Sequence, residues 1–131
     1  MKTVYIRQLR CLTEKDCPLW NGAITKIHIS HIEKLQKTAF RLILGANYRG
    51  YENSLRTLNL SFLIDRRSKI CRKFAFKTQK NPKYSAWFTK TSAKTRLSKQ
   101  YFEYGARTAR YRRSPLYYLT SLLNNWTLYI Y

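Results

Sequence analysis

The stretch TKIHISHIEKLQKTAFRLILG, residues 25–45, decides the fold class. Ile32, Leu35, Ala39, Leu42 and Ile43 recur at helical spacing and form one apolar stripe, while Lys34, Lys37 and Arg41 form a separate basic one. Thr25 offers one N-cap, and Ser30 with Glu33 offers a capping box for a later start. Gly45 is placed to end the helix, because glycine enters the left-handed cap conformation freely.

Downstream, residues 51–58 read as a shorter helix that buries Leu55 and Leu58 and ends at Asn59. A third long helix follows Leu60 and Phe62, with Leu63, Ile70, Cys71, Phe74 and Ala75 inward and Arg67 interrupting the apolar repeat. Arg66, Lys69, Lys73, Lys77 and Lys80 recur every three or four residues on another of its faces. Crowding cations this way costs about 0.2–0.5 kcal/mol per neighbouring pair, and only Asp65 is near to relieve it. Asn81-Pro82 ends this helix.

Upstream, Val4, Ile6, Leu9 and Leu12 predict an amphipathic helix over residues 3–15 that stops near Cys17-Pro18, and Trp20 with Asn21-Gly22 reads as a turn. Residues 83–113 carry nine Lys or Arg and one acid, Glu103, with weak periodicity, and read as an irregular, partly mobile basic segment. Ser114-Pro115 opens a last helix with Leu116, Leu119, Leu122 and Leu123 on its apolar side, which Asn124-Asn125 should break. The ending from Trp126 to Tyr131 reads as a short strand or a frayed tail. The expected class is therefore mostly α, a small bundle of about four to five helices with an irregular basic segment. Its expected divisions are a helical domain over 1–80, a basic linker over 81–113, and a C-terminal helix and tail over 114–131.

Charge narrows the partner. The 131 residues hold 26 Lys plus Arg against 6 Asp plus Glu, a formal charge of +20. Such a chain repels itself unless something negative neutralises it, and nucleic acid offers a unit charge at every phosphate. An anionic membrane surface, an acidic protein or plain solvation of a basic face are the other readings. Tyr101, Phe102 and Tyr104 precede Arg107, Arg110, Tyr111, Arg112 and Arg113, an interleaving of ring faces and guanidinium groups that suits unpaired bases, or else packs a core. No apolar run approaches the ~18 residues of a membrane span. Arg7 and Arg10 break up the one place for a signal-peptide core, and three cysteines cannot all pair, which points to a reducing, intracellular compartment without choosing between nucleus and cytoplasm.

Catalytic chemistry is poorly provided for. Glu14, Asp16, Glu33, Glu52, Asp65 and Glu103 are scattered, whereas two-metal phosphoryl transfer needs clustered carboxylates. There is no phosphate-cradling glycine loop and no nucleophile elbow. Cys11, Cys17, His28 and His31 can be drawn as a zinc set, but the cysteine separation is wide and lone histidines on basic helices are usually surface residues. No catalytic residue, metal or cofactor is expected.

The order of several short pieces resembles the segment after the palm in reverse transcriptases of non-LTR (LINE-like) retrotransposons. The pieces are Cys17-Pro18-Leu19-Trp20, then residues 32–37 running into 39–45, then Tyr51-Glu52, Leu55, Leu58-Asn59-Leu60, Leu63 and Arg66-Arg67. The likeness resumes at Lys73-Phe74-Ala75, Asn81-Pro82-Lys83 and residues 110–116, so it covers roughly residues 2–123. It implies a helical thumb and the region just beyond, which in that family grips the template–primer duplex by its backbone. It also implies a chain cut from a longer polyprotein, separated from the palm whose paired aspartates hold the catalytic metals. The expected backbone contacts are Lys34, Lys37, Arg41, Arg66, Lys69, Lys73, Lys77, Arg110, Arg112 and Arg113, with RNA, DNA or their hybrid as partner. The competing expectation is a structural or interaction remnant whose apolar faces pack on the missing palm.

Overall fold

The computed structural model describes residues 1–92 and 99–126. Along the chain run α1 (Lys2–Glu14), α2 (Cys17–Trp20), α3 (Lys26–Leu44), α4 (Tyr51–Leu58), α5 (Leu63–Lys80), α6 (Ala109–Arg112) and α7 (Pro115–Trp126). Short 3-10 turns lie at Gly45–Asn47 and Ser85–Trp87, and the β pairing among the described residues is one isolated antiparallel bridge, Lys90 to Tyr101. The protein is mostly α-helical, as its periodicity predicts. Among the described residues no helix is long and apolar enough to cross a membrane. The chain forms two compact units. One comprises Met1–Cys17 and Ile24–Ser68, and the other comprises Pro18–Ala23 with the described residues from Lys69 onward.

The core of the first unit is built on Phe40, which is fully buried with Tyr5, Ala39, Leu55 and Leu58 around it. Tyr5 meets Phe40 edge-on at 5.6 Å, Tyr51 lies 5.7 Å from Phe40 on its other side, and Phe62 meets Tyr51 edge-on at 5.6 Å. Such offset and edge-on pairs each add about 0.5–1.5 kcal/mol beyond area burial. Burial also pushes the Tyr5 phenol up to about 12. On α1, Tyr5 is buried and Ile6 of the apolar repeat packs on the same core, while Val4, Leu9 and Leu12 of that repeat are exposed. The reason is local geometry. Residues Tyr5–Arg10 are π-helical, and the wider turn changes which side chains share a face.

The face of α3 is also corrected. Gln36, Ala39 and Phe40 are buried, whereas Leu35 and Leu42 are 58% and 71% exposed. Gln36 takes an inner place because its amide meets the Tyr51 hydroxyl at 2.7 Å and its Nε2 approaches the Ser61 carbonyl at 3.4 Å, so its polar atoms have partners. The cap is Thr25, whose Oγ1 accepts from the His28 N–H while His28 Nδ1 accepts from the Thr25 N–H, and Ser30 lies inside the helix. Gly45 ends α3 at φ +51, a conformation that costs an L side chain but not glycine. Asn59 ends α4 in the left-handed region, with the Leu60 N–H closing on the Leu55 carbonyl at 2.8 Å. On α5, Leu63, Arg67, Cys71, Ala75 and Thr78 are buried. Arg67 does not interrupt the inner face but lies on it, and Phe74 is 40% exposed instead of inward.

In the second unit Ala75, Phe88, Tyr101, Leu119 and Leu123 form the core. Phe88 and Tyr101 come from the stretch read as an irregular basic segment, and their rings meet edge-on at 6.3 Å. Around the bridge, the Thr91 N–H donates to the Gln100 carbonyl at 3.0 Å and the Phe102 N–H to the Thr89 carbonyl at 2.8 Å. This pattern turns Tyr101's own N–H and C=O away from its partner strand. Asn124 receives them: its Oδ1 accepts the Tyr101 N–H at 2.8 Å and its Nδ2 donates to the Tyr101 carbonyl at 3.0 Å. A side-chain amide thus stands in for a neighbouring strand. Asn124 does not break α7, which continues to Trp126, because its amide is engaged sideways and does not compete with the helix backbone. The expected strand or tail beyond Trp126 lies outside the described residues.

Replacing Asn124 with Ala leaves a buried N–H and a buried C=O of Tyr101 without that partner, so stability should fall by about 2–3 kcal/mol. Urea unfolding of Asn124→Ala checks this, with Asn125→Ala, at an exposed neighbour, expected within about 0.5 kcal/mol of the parent.

Candidate nucleic-acid interface

α3 turns three faces to three surroundings. Gln36, Ala39 and Phe40 face the core, Lys34, Lys37 and Arg41 are exposed on a second face, and Leu35 and Leu42 are exposed on a third. The Lys37 ammonium stands 5.1 Å over the Tyr51 ring and the Arg41 guanidinium 5.5 Å over the Tyr48 ring. Each contact is worth about 0.5–1 kcal/mol at an exposed site and steadies a long cationic side chain without neutralising it.

Glu33 stands four residues before Lys37, the spacing and order that favour a helical ion pair. The pair does not form. Glu33 Oε2 instead accepts the Tyr51 hydroxyl, and its Oε1 accepts the Ile64 N–H at 3.1 Å, at the amino end of α5. A carboxylate there meets the positive end of the helix dipole. Burial first, and then the hydrogen bond to Glu33, push the Tyr51 phenol well above its ordinary value. With Glu33 so engaged, the basic row of α3 keeps its charge.

The row on α5 is divided. Lys69, Lys73, Lys77 and Lys80 are exposed, but Arg66 is held by Glu14 through Nε to Oε1 at 2.5 Å and Nη2 to Oε2 at 3.0 Å. Arg10 adds a third bond to Glu14 Oε1 at 3.1 Å. Arg66 is thus paired with an acid, and the carboxylate it binds lies 52 residues away in sequence and gives no local sign of pairing. Burial alone would push the Glu14 carboxyl up, but the hydrogen bonds from Arg66 and Arg10 outweigh it and hold the group below the usual range. The same bond raises Arg66.

Arg110, Arg112 and Arg113 are exposed around the short helix α6, which Thr108 caps through the Tyr111 N–H at 3.2 Å. Arg112 Nη2 reaches the Ala106 carbonyl at 3.4 Å. Lys34, Lys37 and Arg41 belong to the first unit, and Lys69, Lys73, Lys77 and the three arginines to the second. Missing from the expected set are the exposed rings of the second unit, Trp87, Phe102, Tyr104 and Tyr111. Their interleaving with arginine was the available signal, but composition could not say which rings stay outside the core.

The cysteines and histidines do not converge. His28 belongs to the α3 cap, Cys17 is buried, and the exposed Cys11 leans on the Ile6 carbonyl at 3.5 Å. Among the described residues no group of three or more His, Cys, Asp or Glu side chains is placed to hold a metal ion. No protein family, no curated protein and no solved structure matches this chain.

Because folding lowers the pKa of Glu14, its carboxylate stabilises the fold above the unfolded value near 4.5, and that contribution is lost as pH falls through the lower folded value. Glu14→Gln should cost about 1–2 kcal/mol near neutral pH, discounted because Arg66 is partly exposed. Thermal unfolding of parent and variant at about pH 7 and about pH 3 checks this. The gap between the two should close in acid.

Proposed function

We propose that this chain is a non-catalytic nucleic-acid-binding protein that grips a phosphodiester backbone through exposed basic helix faces. The observation that carries the reading is the state of Lys34, Lys37, Arg41, Lys69, Lys73, Lys77, Arg110, Arg112 and Arg113. All are exposed, and among the described residues none forms an ion pair with a carboxylate. A row of cations kept apart from acids is costly on a solvated helix and useful against phosphates. The order of short motifs that resembles a retrotransposon thumb adds the expectation of a template–primer duplex as the partner, and of a palm in a parent polyprotein. The scattered acids argue against metal-dependent polymerisation by this chain itself.

One observation favours a second reading. Leu35 and Leu42 are 58% and 71% exposed on one side of α3, which suits packing against another protein, such as a missing palm. Binding of RNA–DNA hybrid separates the two. If about five cations engage phosphates, log K falls with log salt at a slope near −4.5. Lys73→Ala should weaken binding evenly across sequences and flatten that slope by about 0.9, while Arg66→Ala, removing a cation already held by Glu14, should leave the slope unchanged. Filter binding over a salt series checks both. Binding that ignores salt would replace the backbone grip with the packing reading.

A further inference from the structure

Exposed aromatic rings are concentrated in the second unit. Trp87, Phe102 and Tyr104 are 55%, 49% and 53% exposed, and Tyr111 is 36% exposed. They do not lie scattered. All four line a shallow depression of about 10 Å³ together with Tyr117, too small for a base, but Phe102, Tyr104 and Tyr117 also wall an adjoining open cleft of about 430 Å³. Their mutual contacts are edge-on. Phe102 meets Tyr104 edge-on at 5.0 Å and 86°, and Tyr111 meets Tyr117 edge-on at 6.0 Å. An edge-on pair covers one face of one ring only, so flat groups can still stack.

The charge beside these rings selects the occupant. Tyr111 enters the depression from α6, and Arg107, Arg110, Arg112 and Arg113 surround it in sequence, all exposed. The acid that lines the same place, Glu103, bonds Lys99 at 2.5 Å and Asn124 at 2.9 Å, so it presents no unbalanced negative charge. Exposed rings followed in sequence by exposed arginines fit a ligand that is flat and carries phosphates.

We infer that the cleft walled by Phe102, Tyr104 and Tyr117 is a stacking site for unpaired bases of single-stranded nucleic acid. The inference rests on the nucleic-acid reading above and adds a strand class to it. In a duplex the base faces are covered by neighbouring base pairs, so only extruded or unpaired bases reach a ring face. Stacking reads the π-face that every base has, so the site is tolerant of sequence. The arginines hold the backbone beside the stacked bases, with guanidinium groups suited to bidentate phosphate contact.

The test is fluorescence anisotropy with two probes of about 12 nucleotides, oligothymidylate and an RNA–DNA hybrid of equal length. Tyr104→Leu keeps an apolar side chain at an exposed position but removes the ring, and Phe102→Ala with Tyr104→Ala removes both rings. Circular dichroism establishes that each variant is folded. Tyr104→Leu should weaken oligothymidylate binding about tenfold, the double variant more, with hybrid binding within about twofold of the parent. The salt slope should stay that of the parent, because no cation is lost. Folded Tyr104→Leu with parental affinity for oligothymidylate overturns the stacking site and leaves the backbone grip standing. A parent that binds neither probe at low salt overturns the backbone grip and the stacking site together.

Discussion

With 26 cations and only six carboxylates, this chain has few counter-charges, and the fold uses three of them as cross-links. Glu14 ties α1 to α5 through Arg66 while bonding Arg10 on its own helix. Glu33 joins α3 to Tyr51 of α4 and to the amino end of α5. Glu103 bonds Lys99 and Asn124, beside the strand-like contact that Asn124 makes with Tyr101. Glu52 and Asp65 lie in the first turns of α4 and α5, where they meet the positive ends of helix dipoles. Acids placed this way hold elements together or cap them. They are then absent from the cationic rows.

That placement links folding to surface chemistry. A helix with Glu33 four residues before Lys37 would ordinarily neutralise its own surface. Here Tyr51 and the Ile64 N–H take the carboxylate, and Lys37 rests on the face of the same Tyr51. One tyrosine therefore packs against Phe40, holds an acid and steadies a cation. The second unit uses its aromatic residues differently: Phe88 and Tyr101 fill its core, while Trp87, Phe102 and Tyr104 stay about half exposed.

Helix positions were legible because their signals are local. Thr25, Gly45, Asn59, Asn81 and Ser114 act through neighbours a few residues away, and each stands at a helix boundary. Helix faces were less legible. The apolar repeat in α1 assumed ordinary helical spacing, but a π-helical stretch turned Tyr5 inward and left Leu12 exposed. Leu35 and Leu42 look more suited to a core than Gln36 does, yet Gln36 has two hydrogen-bonding neighbours waiting and the leucines face away from Phe40. For the candidate interface, the lysines of α3 and α5 were readable from their spacing, whereas the pairing of Arg66 with Glu14 and the clustering of the rings were not.

The amino-acid sequence by itself determined that the chain is mostly helical, where its main helices begin and end, and that cations greatly outnumber acids. Those properties come from backbone preferences and side-chain chemistry within one or two turns. Tertiary structure alone decided which face of each helix is buried, which cation is bound by an acid, and that a buried asparagine completes a strand-like pairing. Those choices depend on groups far apart in the chain, such as Glu14 with Arg66 and Asn124 with Tyr101, and periodicity carries no record of which distant partner arrives.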